Sequence, residues 1–246
     1  MFRVKTSSKT LKALLKALGE IDSEPMMVFR KDKVVAWGMD PSHTMMVSME
    51  IKPEFFSAYE FGALKPIKVC IDAITLSKWL PAKDYDAEIR HDGKEIRAIV
   101  FSSSSKISKK VSIYEERTPP PPIDIELIGS ARVPSADLAE GYTMVFKGTK
   151  DVVLEVEEGR FKVIGRENGT VCELEVGDEA ISYPEEGKLR GIYNGEYMKM
   201  IIDAAKSLAD SAEFKFTKQG ILEVDIAASG FTAKYFLAPI LEEAPE

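Results

Sequence analysis

The sequence predicts an α+β chain in which one helix-plus-sheet unit is used four times, grouped as two similar domains. Three observations predict it. Helix-patterned stretches begin near Ser8, Ala73, Ser135 and Glu196. Each runs into strand-like segments around a tight charged turn, at Lys31-Asp32, Asp92-Gly93, Glu158-Gly159 and Gln219-Gly220. These turns recur about every 60 to 66 residues.

The first helix is expected from Ser8 to Gly19, with Ser7 or Ser8 capping its start and Gly19 ending it. Leu11, Leu14, Leu15 and Leu18 form an apolar stripe at i, i+3, i+4, i+7. Lys9, Lys12 and Lys16 form a second stripe on another face, and no acid interrupts it before Glu20. Met26 to Phe29 and Val34 to Trp37 read as a hairpin around Lys31-Asp32-Lys33, and Met45 to Ile51 as a third strand. A short helix from Ala73 to Leu80 buries Leu76, Trp79 and Leu80, displays Lys78 and stops at Pro81. Ala87 to Arg90 and Ile96 to Phe101 flank Asp92-Gly93, a strong hairpin signal. Ile107 to Tyr114 is read as one further strand, accompanied by Lys106, Lys109 and Lys110.

The chain then breaks at Pro119-Pro120-Pro121-Pro122, a stiff segment that cannot enter a sheet interior. The expected organisation is a first domain over 1–116, a connecting linker over 117–130 and a second domain over 131–246. The second half repeats the plan: helix from Pro134 to Lys147 with a weak spot at Gly141, strands at Val152 to Val156, Phe161 to Ile164 and Thr170 to Val176. Gly177 to Gly191 is polar and loop-like. A fourth helix, Tyr197 to Leu208, carries Lys199 and Lys206, and three strands close the chain.

Bulk numbers bound the function. The 246 residues are 45% hydrophobic and 30% charged, as in soluble globular proteins. No apolar run approaches the roughly 20 residues that span a bilayer. Met1 to Lys5 leads into a patterned helix instead of a signal peptide, which points to the cytoplasm. Cys70 and Cys172 lie in apolar runs and are expected as buried, reduced thiols. His43 and His91 are the only histidines, with no cysteine close by, so no metal site and no cofactor is expected. Asp40 and His43 lack any nucleophile or metal motif beside them, so no catalytic role is assigned, and His91 is expected solvated beside its turn. The net charge of −7 taken alone argues against nucleic acid, but a local field depends on where charges lie.

Gly38-Met39-Asp40-Pro41-Ser42-His43, after a hairpin and before an apolar strand, resembles the Met-Asp-x-Ser-His signature of DNA sliding clamps, the proliferating cell nuclear antigen (PCNA) family. Tyr235-Phe236-Leu237-Ala238-Pro239-Ile240-Leu241 resembles that family's closing segment, and Pro134-Ser135 the start of its second domain. The likeness covers essentially the whole chain and is of the archaeal type. It implies the DNA-clamp fold, three subunits closed head to tail around duplex DNA, helices lining the hole, and no chemistry. It further implies a clamp loader, and tethering of DNA polymerase, flap endonuclease and ligase through short peptides.

The resemblance assigns DNA contact to Lys9, Lys12, Lys16, Lys78, Lys83, Lys147, Lys199 and Lys206. The chain departs from the family pattern at Glu140, Thr143 and Pro81, which shifts weight to the first domain, with Lys83 as partial compensation. A partner-peptide pocket is implied at Met39, Thr44, Met46, Leu127, Ile128, Ile221, Phe236, Ala238, Pro239 and Leu241. Burying about 200 Å² of apolar peptide surface there gains roughly 5 kcal/mol gross, reduced by ordering costs to an exchangeable interaction. The subunit contact is implied at Lys109, Lys110, Val111 and Ile113 against Val171, Glu173 and Glu175, edges of opposite charge. Two rivals stand beside this reading: a specialised or checkpoint-type subunit that assembles only in a heterotrimer, and a small-molecule enzyme on a duplicated α+β scaffold.

Overall fold

The computed structural model describes residues 1–120, 123–146, 150–157, 159–167, 170–176, 181–182 and 187–241. Chain contacts divide it into two units, Met1–Pro121 with Ala228–Ala233, and Pro122–Ala227 with Lys234–Glu246.

The first unit runs β1 (Phe2–Ser7), α1 (Ser8–Gly19), β2 (Met26–Phe29), β3 (Val34–Met39) and β4 (Met45–Ile51). A 3₁₀ turn (Pro53–Phe55) leads to β5 (Ala58–Phe61), β6 (Ile67–Ile71) and α2 (Ala73–Trp79). β7 (Asp86–His91), β8 (Ile96–Phe101), β9 (Lys106–Val111) and β10 (Ile113–Tyr114) follow. Two antiparallel arrays result, in the orders β5-β1-β7-β8-β9 and β10-β6-β2-β3-β4. Leu11, Leu14, Leu15 and Leu18 of α1 meet Val4, Phe29 and Ile89 of the strands around one small internal cavity. Each such buried leucine contributes about 1.5–3 kcal/mol of transfer free energy.

The second unit repeats the arrangement with β11 (Leu127–Pro134), α3 (Ser135–Val145), β12 (Asp151–Glu157), β13 (Arg160–Glu167) and β14 (Thr170–Val176). β15 (Ile181–Ser182), β16 (Leu189–Asn194), α4 (Gly195–Leu208), β17 (Ser211–Thr217), β18 (Leu222–Ala228) and β19 (Phe231–Leu237) complete the order, with Ala228–Ala233 counted in the first unit. Its arrays are β14-β13-β12-β16 and β19-β18-β17-β11-β15.

Several expectations are corrected. The segment leading into the first helix is itself a strand: Phe2, Val4 and Thr6 of β1 are buried while Arg3 and Lys5 face outward. Arg3 sits opposite Glu60 and reaches it at 2.9 Å, a cross-strand ion pair that accommodates charge in a strand. The strand expected over Ile107 to Tyr114 divides at Ser112, because Ile113 and Tyr114 pair with Ile71 and Cys70 in the other array. Ile113 therefore does not lie on β9 with Lys109, Lys110 and Val111. Trp79 is half-buried, not buried. β11 takes the end of the segment expected as linker, and β16 the end of the one expected as loop.

Two side chains reverse their expected exposure. Cys70 is buried, but Cys172 is exposed, because it sits on β14 at the rim of a four-stranded sheet. His91 is no solvated turn residue. Its ring stacks on Phe2 at 5.5 Å, its Nδ1 is buried without a partner among the described residues, and burial pushes its pKa down.

Candidate nucleic-acid interface

α1 starts where Ser7 Oγ accepts the Thr10 N–H at 3.0 Å, and α2 where Asp72 Oδ1 accepts that of Thr75 at 2.8 Å. The two helices pack antiparallel. At one end Ser8 donates its N–H to the Tyr85 carbonyl at 2.7 Å and its hydroxyl to the Lys83 carbonyl at 3.0 Å. At the other, Gly19 lies so close to α2 that a Cβ on it would stand 2.7 Å from the Ile74 nitrogen. Gly19 therefore serves close approach; the helix is capped by Glu20 in ordinary right-handed geometry (φ −72°), not by a left-handed glycine.

This packing gathers lysines. Lys12 Nζ donates to the Leu80 carbonyl at 3.0 Å, just past Lys78, and Lys83 Nζ lies 5.4 Å from the Tyr85 ring centroid beside the start of α1. Lys9 and Lys78 are exposed, and their ammonium groups have no ion pair or hydrogen bond among the described residues. Lys16 lies nearer the far end, 3.5 Å from Glu20. Within their bounds α1 and α2 carry four lysines and no acid.

α3 and α4 are built alike. Ser135 donates its N–H to the Asp210 carbonyl at 2.8 Å, and Tyr142 Oη donates to the Gly195 carbonyl at 2.7 Å. Burial raises the Tyr142 pKa, so that hydroxyl stays a donor. Asn194 Oδ1 caps α4 through Glu196 and Tyr197 N–H at 3.0 and 3.2 Å. The charge differs. Lys199 is bound to Asp203 at 2.7 Å, Lys206 is exposed, and α3 carries only Asp137 and Glu140. Lys147 lies outside the described residues.

The residues expected to hold a partner peptide fall into both units and are described in each. In the first, Met39 stands opposite Met46 across β3 and β4. The turn between these strands is tied to Asp40, 3% exposed. Its carboxylate accepts the N–H of Ser42 at 3.0 Å and of Met45 at 2.5 Å, besides the Ser42 hydroxyl. Thr44 is half-buried, and His43 takes φ 57°. A cleft of about 400 Å³ beside this turn is lined by Trp37, Met39, His43, Asp22 and Arg117. Arg117 spans its rim, bound to Asp22 at 2.9 Å and Glu24 at 2.9 Å, an anchor the sequence did not disclose.

In the second unit, Leu127 and Ile128 open β11 with 52% and 39% exposure. The register slips between Leu127 and Gly129, so Ile128 sits at a bulge. Leu127 pairs with Thr217, whose hydroxyl donates to the Ile221 carbonyl at 2.7 Å. Pro239 packs on Gly220, 3.1 Å from where a Cβ would stand. Ile221, Phe236, Ala238 and Pro239 are half-buried and Leu241 is 83% exposed. The Ile240 N–H is fixed to the Ile192 carbonyl at 2.8 Å. Around the 217–221 turn an apolar strip thus remains open on this unit.

β9 and β14 are each the last strand of their sheets, with Ile107 and Val171 both 58% exposed. Three of their charges are already partnered at home. Lys110 binds Glu95 at 2.9 Å, holding that carboxyl below its usual pKa. Glu173 binds Lys162 at 3.1 Å, and Glu175 binds Arg160 at 3.0 Å.

No family model matches the chain. It is similar over its length to proteins named DNA polymerase sliding clamp. That of Methanothrix thermoacetophila is 22% identical over 259 residues, spanning 99% of this chain and 100% of the relative. That of Nitrosopumilus maritimus is 26% identical over 252 residues, spanning 98% and 99%. Among solved structures, the PCNA2–PCNA3 complex from Sulfolobus tokodaii matches with a TM-score of 0.84 at 18% identity, over 96% of this chain and 98% of that one. Proliferating cellular nuclear antigen from Entamoeba histolytica gives 0.82 at 15% identity, over 98% and 99%. The chain thus shares the fold of PCNA structures and is similar from end to end to archaeal proteins named DNA polymerase sliding clamp.

Proposed function

We propose that the chain is one subunit of a closed ring that encircles duplex DNA, tethers DNA polymerase to it and so confers processivity. The observation that carries this is the α1–α2 pair, with its lysines and no acid within the helices. Attraction to phosphate is independent of sequence and permits sliding. The pair offers no Asn, Gln or Arg at all to read base edges.

In this reading β9 of one subunit adds to β14 of the next, a heterologous contact that closes by rotation. Because Lys110, Glu173 and Glu175 are bound within their own sheets, the contact rests on backbone hydrogen bonds and on Ile107 and Val171 more than on opposite charge. The apolar strip around 217–221 receives short peptides from polymerase, flap endonuclease and ligase, and a clamp loader opens the ring. The chain itself performs no covalent chemistry and works in the cytoplasm on the nucleoid.

The test is primer extension on a primed circle with a loader and polymerase. Lys9→Glu, Lys16→Glu and Lys78→Glu together are expected to abolish the long products without unfolding the protein. Lys12 is spared because it also supports α2 through Leu80. Undiminished long products at about 150 mM salt, where surface fields reach only about 8 Å, would count against the assignment.

A further inference from the structure

The two units can be set against each other residue by residue, each by its own internal bonds. Ser8 and Ser135 both open a first helix and are buried at 0% and 1% exposure. Both donate their N–H to the chain just past the second helix, at 2.7 Å to Tyr85 and 2.8 Å to Asp210. Counting α1 and α3 from these serines sets Leu11, Leu15 and Leu18 on Leu138, Tyr142 and Val145, every one of them buried. The match of buried faces fixes the register. On the same count Lys9, Lys12 and Lys16 fall on Ala136, Ala139 and Thr143. Counting α2 and α4 from their caps, Asp72 and Asn194, sets buried Leu76 and Leu80 on buried Met198 and Ile202, and Lys78 on Met200.

All four lysine positions of the first helix pair are therefore uncharged in the second. The lysines that α4 does carry, Lys199 and Lys206, stand at other positions among the acids Glu196 and Asp203, with Asp137 and Glu140 on α3. Lys199 is held by Asp203 at 2.7 Å. An acid-rich pair repels phosphate where the first pair attracts it.

We propose that this chain grips duplex phosphates through the helix pair of its first unit alone, and that the second unit's described helices make no phosphate contact. This rests on the clamp reading and narrows it: the DNA is held by one basic patch per subunit instead of a continuous basic lining. Each phosphate contact contributes about 0.9 to the slope of log affinity against log salt, so the number and origin of contacts can be counted.

The experiment compares two variants of equal charge change in the full-length assembly, Lys9→Gln with Lys78→Gln, and Lys199→Gln with Lys206→Gln. Binding to a short fluorescein-labelled duplex is followed by anisotropy between about 50 and 200 mM salt. Thermal melting of each variant, and a Lys9→Arg with Lys78→Arg control that keeps binding, confirm folding and charge dependence. The first double is expected to lower affinity about tenfold and to flatten the slope by roughly 0.9 per contact removed. The second is expected to change affinity less than about twofold with the slope intact. Equal losses in the two doubles, or a flattened slope in the second, overturn the inference and leave the clamp reading standing. Salt-independent binding by the unaltered protein overturns both.

Discussion

Asp40 uses both carboxylate oxygens on its own turn, accepting from Ser42 and Met45, and so sets Met39 and Met46 opposite each other. The Met-Asp-x-Ser-His string was legible in the sequence, but its physical role as a turn anchor appears only in the hydrogen bonds. His91 was misread because burial depends on which strand lies beside it: Phe2, its cross-strand partner on β1, stacks on the ring. Burial holds its pKa below the ordinary value of about 6.5. As pH falls through that value the unfolded chain takes up the proton first, so stability present at neutral pH is lost on acidification. The thermal midpoint is expected to drop between about pH 7 and 5.5, and His91→Phe, which keeps the stack and cannot titrate, is expected to drop less. Equal drops in both proteins would show that other groups carry the effect.

At the scale of elements, α1 was legible because its leucine spacing follows the 3.6-residue period, whereas β1 was hidden by Arg3 and Lys5 on its outward side. Helix contacts were not legible at all. The sequence marks Gly19 as a helix end and Gly141 as a weak spot within a helix, and the structure gives them different neighbours. A Cβ on Gly19 strikes Ile74 backbone at 2.7 Å, which cannot move without shifting α2. A Cβ on Gly141 strikes the Leu174 side chain at 2.4 Å, and that side chain is half-exposed on the edge strand β14 and can rotate away. Gly19→Ala is expected to destabilise by about 1–3 kcal/mol, more than the roughly 0.5–1 kcal/mol of helix propensity it gains. Gly141→Ala is expected near neutral for the same propensity gain. Denaturant midpoints distinguish them, and a reversed order would mean that the helix pair, not the sheet edge, is the softer neighbour.

For the molecule as a whole, the net charge of −7 conceals a first helix pair that is wholly basic. The sum was readable at once, the segregation only when the helices were placed. Exposure bears on the proposed docking surface in the same way. Leu127 is 52% exposed and Phe236 half-buried, so neither is needed to close a core. Leu127→Ala with Phe236→Ala is expected to weaken binding of a polymerase-derived peptide by about 2 kcal/mol, the transfer free energy of roughly 80 Å² of apolar contact. The assembly mass should stay unchanged. Calorimetry reads the first and native mass spectrometry the second; a loss of assembly would reassign these residues to the architecture of the subunit.

Lys12 is tied at 3.0 Å to the carbonyl of Leu80, the residue that caps the neighbouring α2. A free lysine stem gives up about 1.5–2 kcal/mol of rotamer entropy when it is stilled. For this one the stilling happens when the protein folds, so in the proposed clamp reading a passing phosphate would meet a positive charge already parked in place. In that reading motion along the double helix would disturb the rigid cation less than its limp neighbours, and the grip and the glide would be set by different side chains of the same rod.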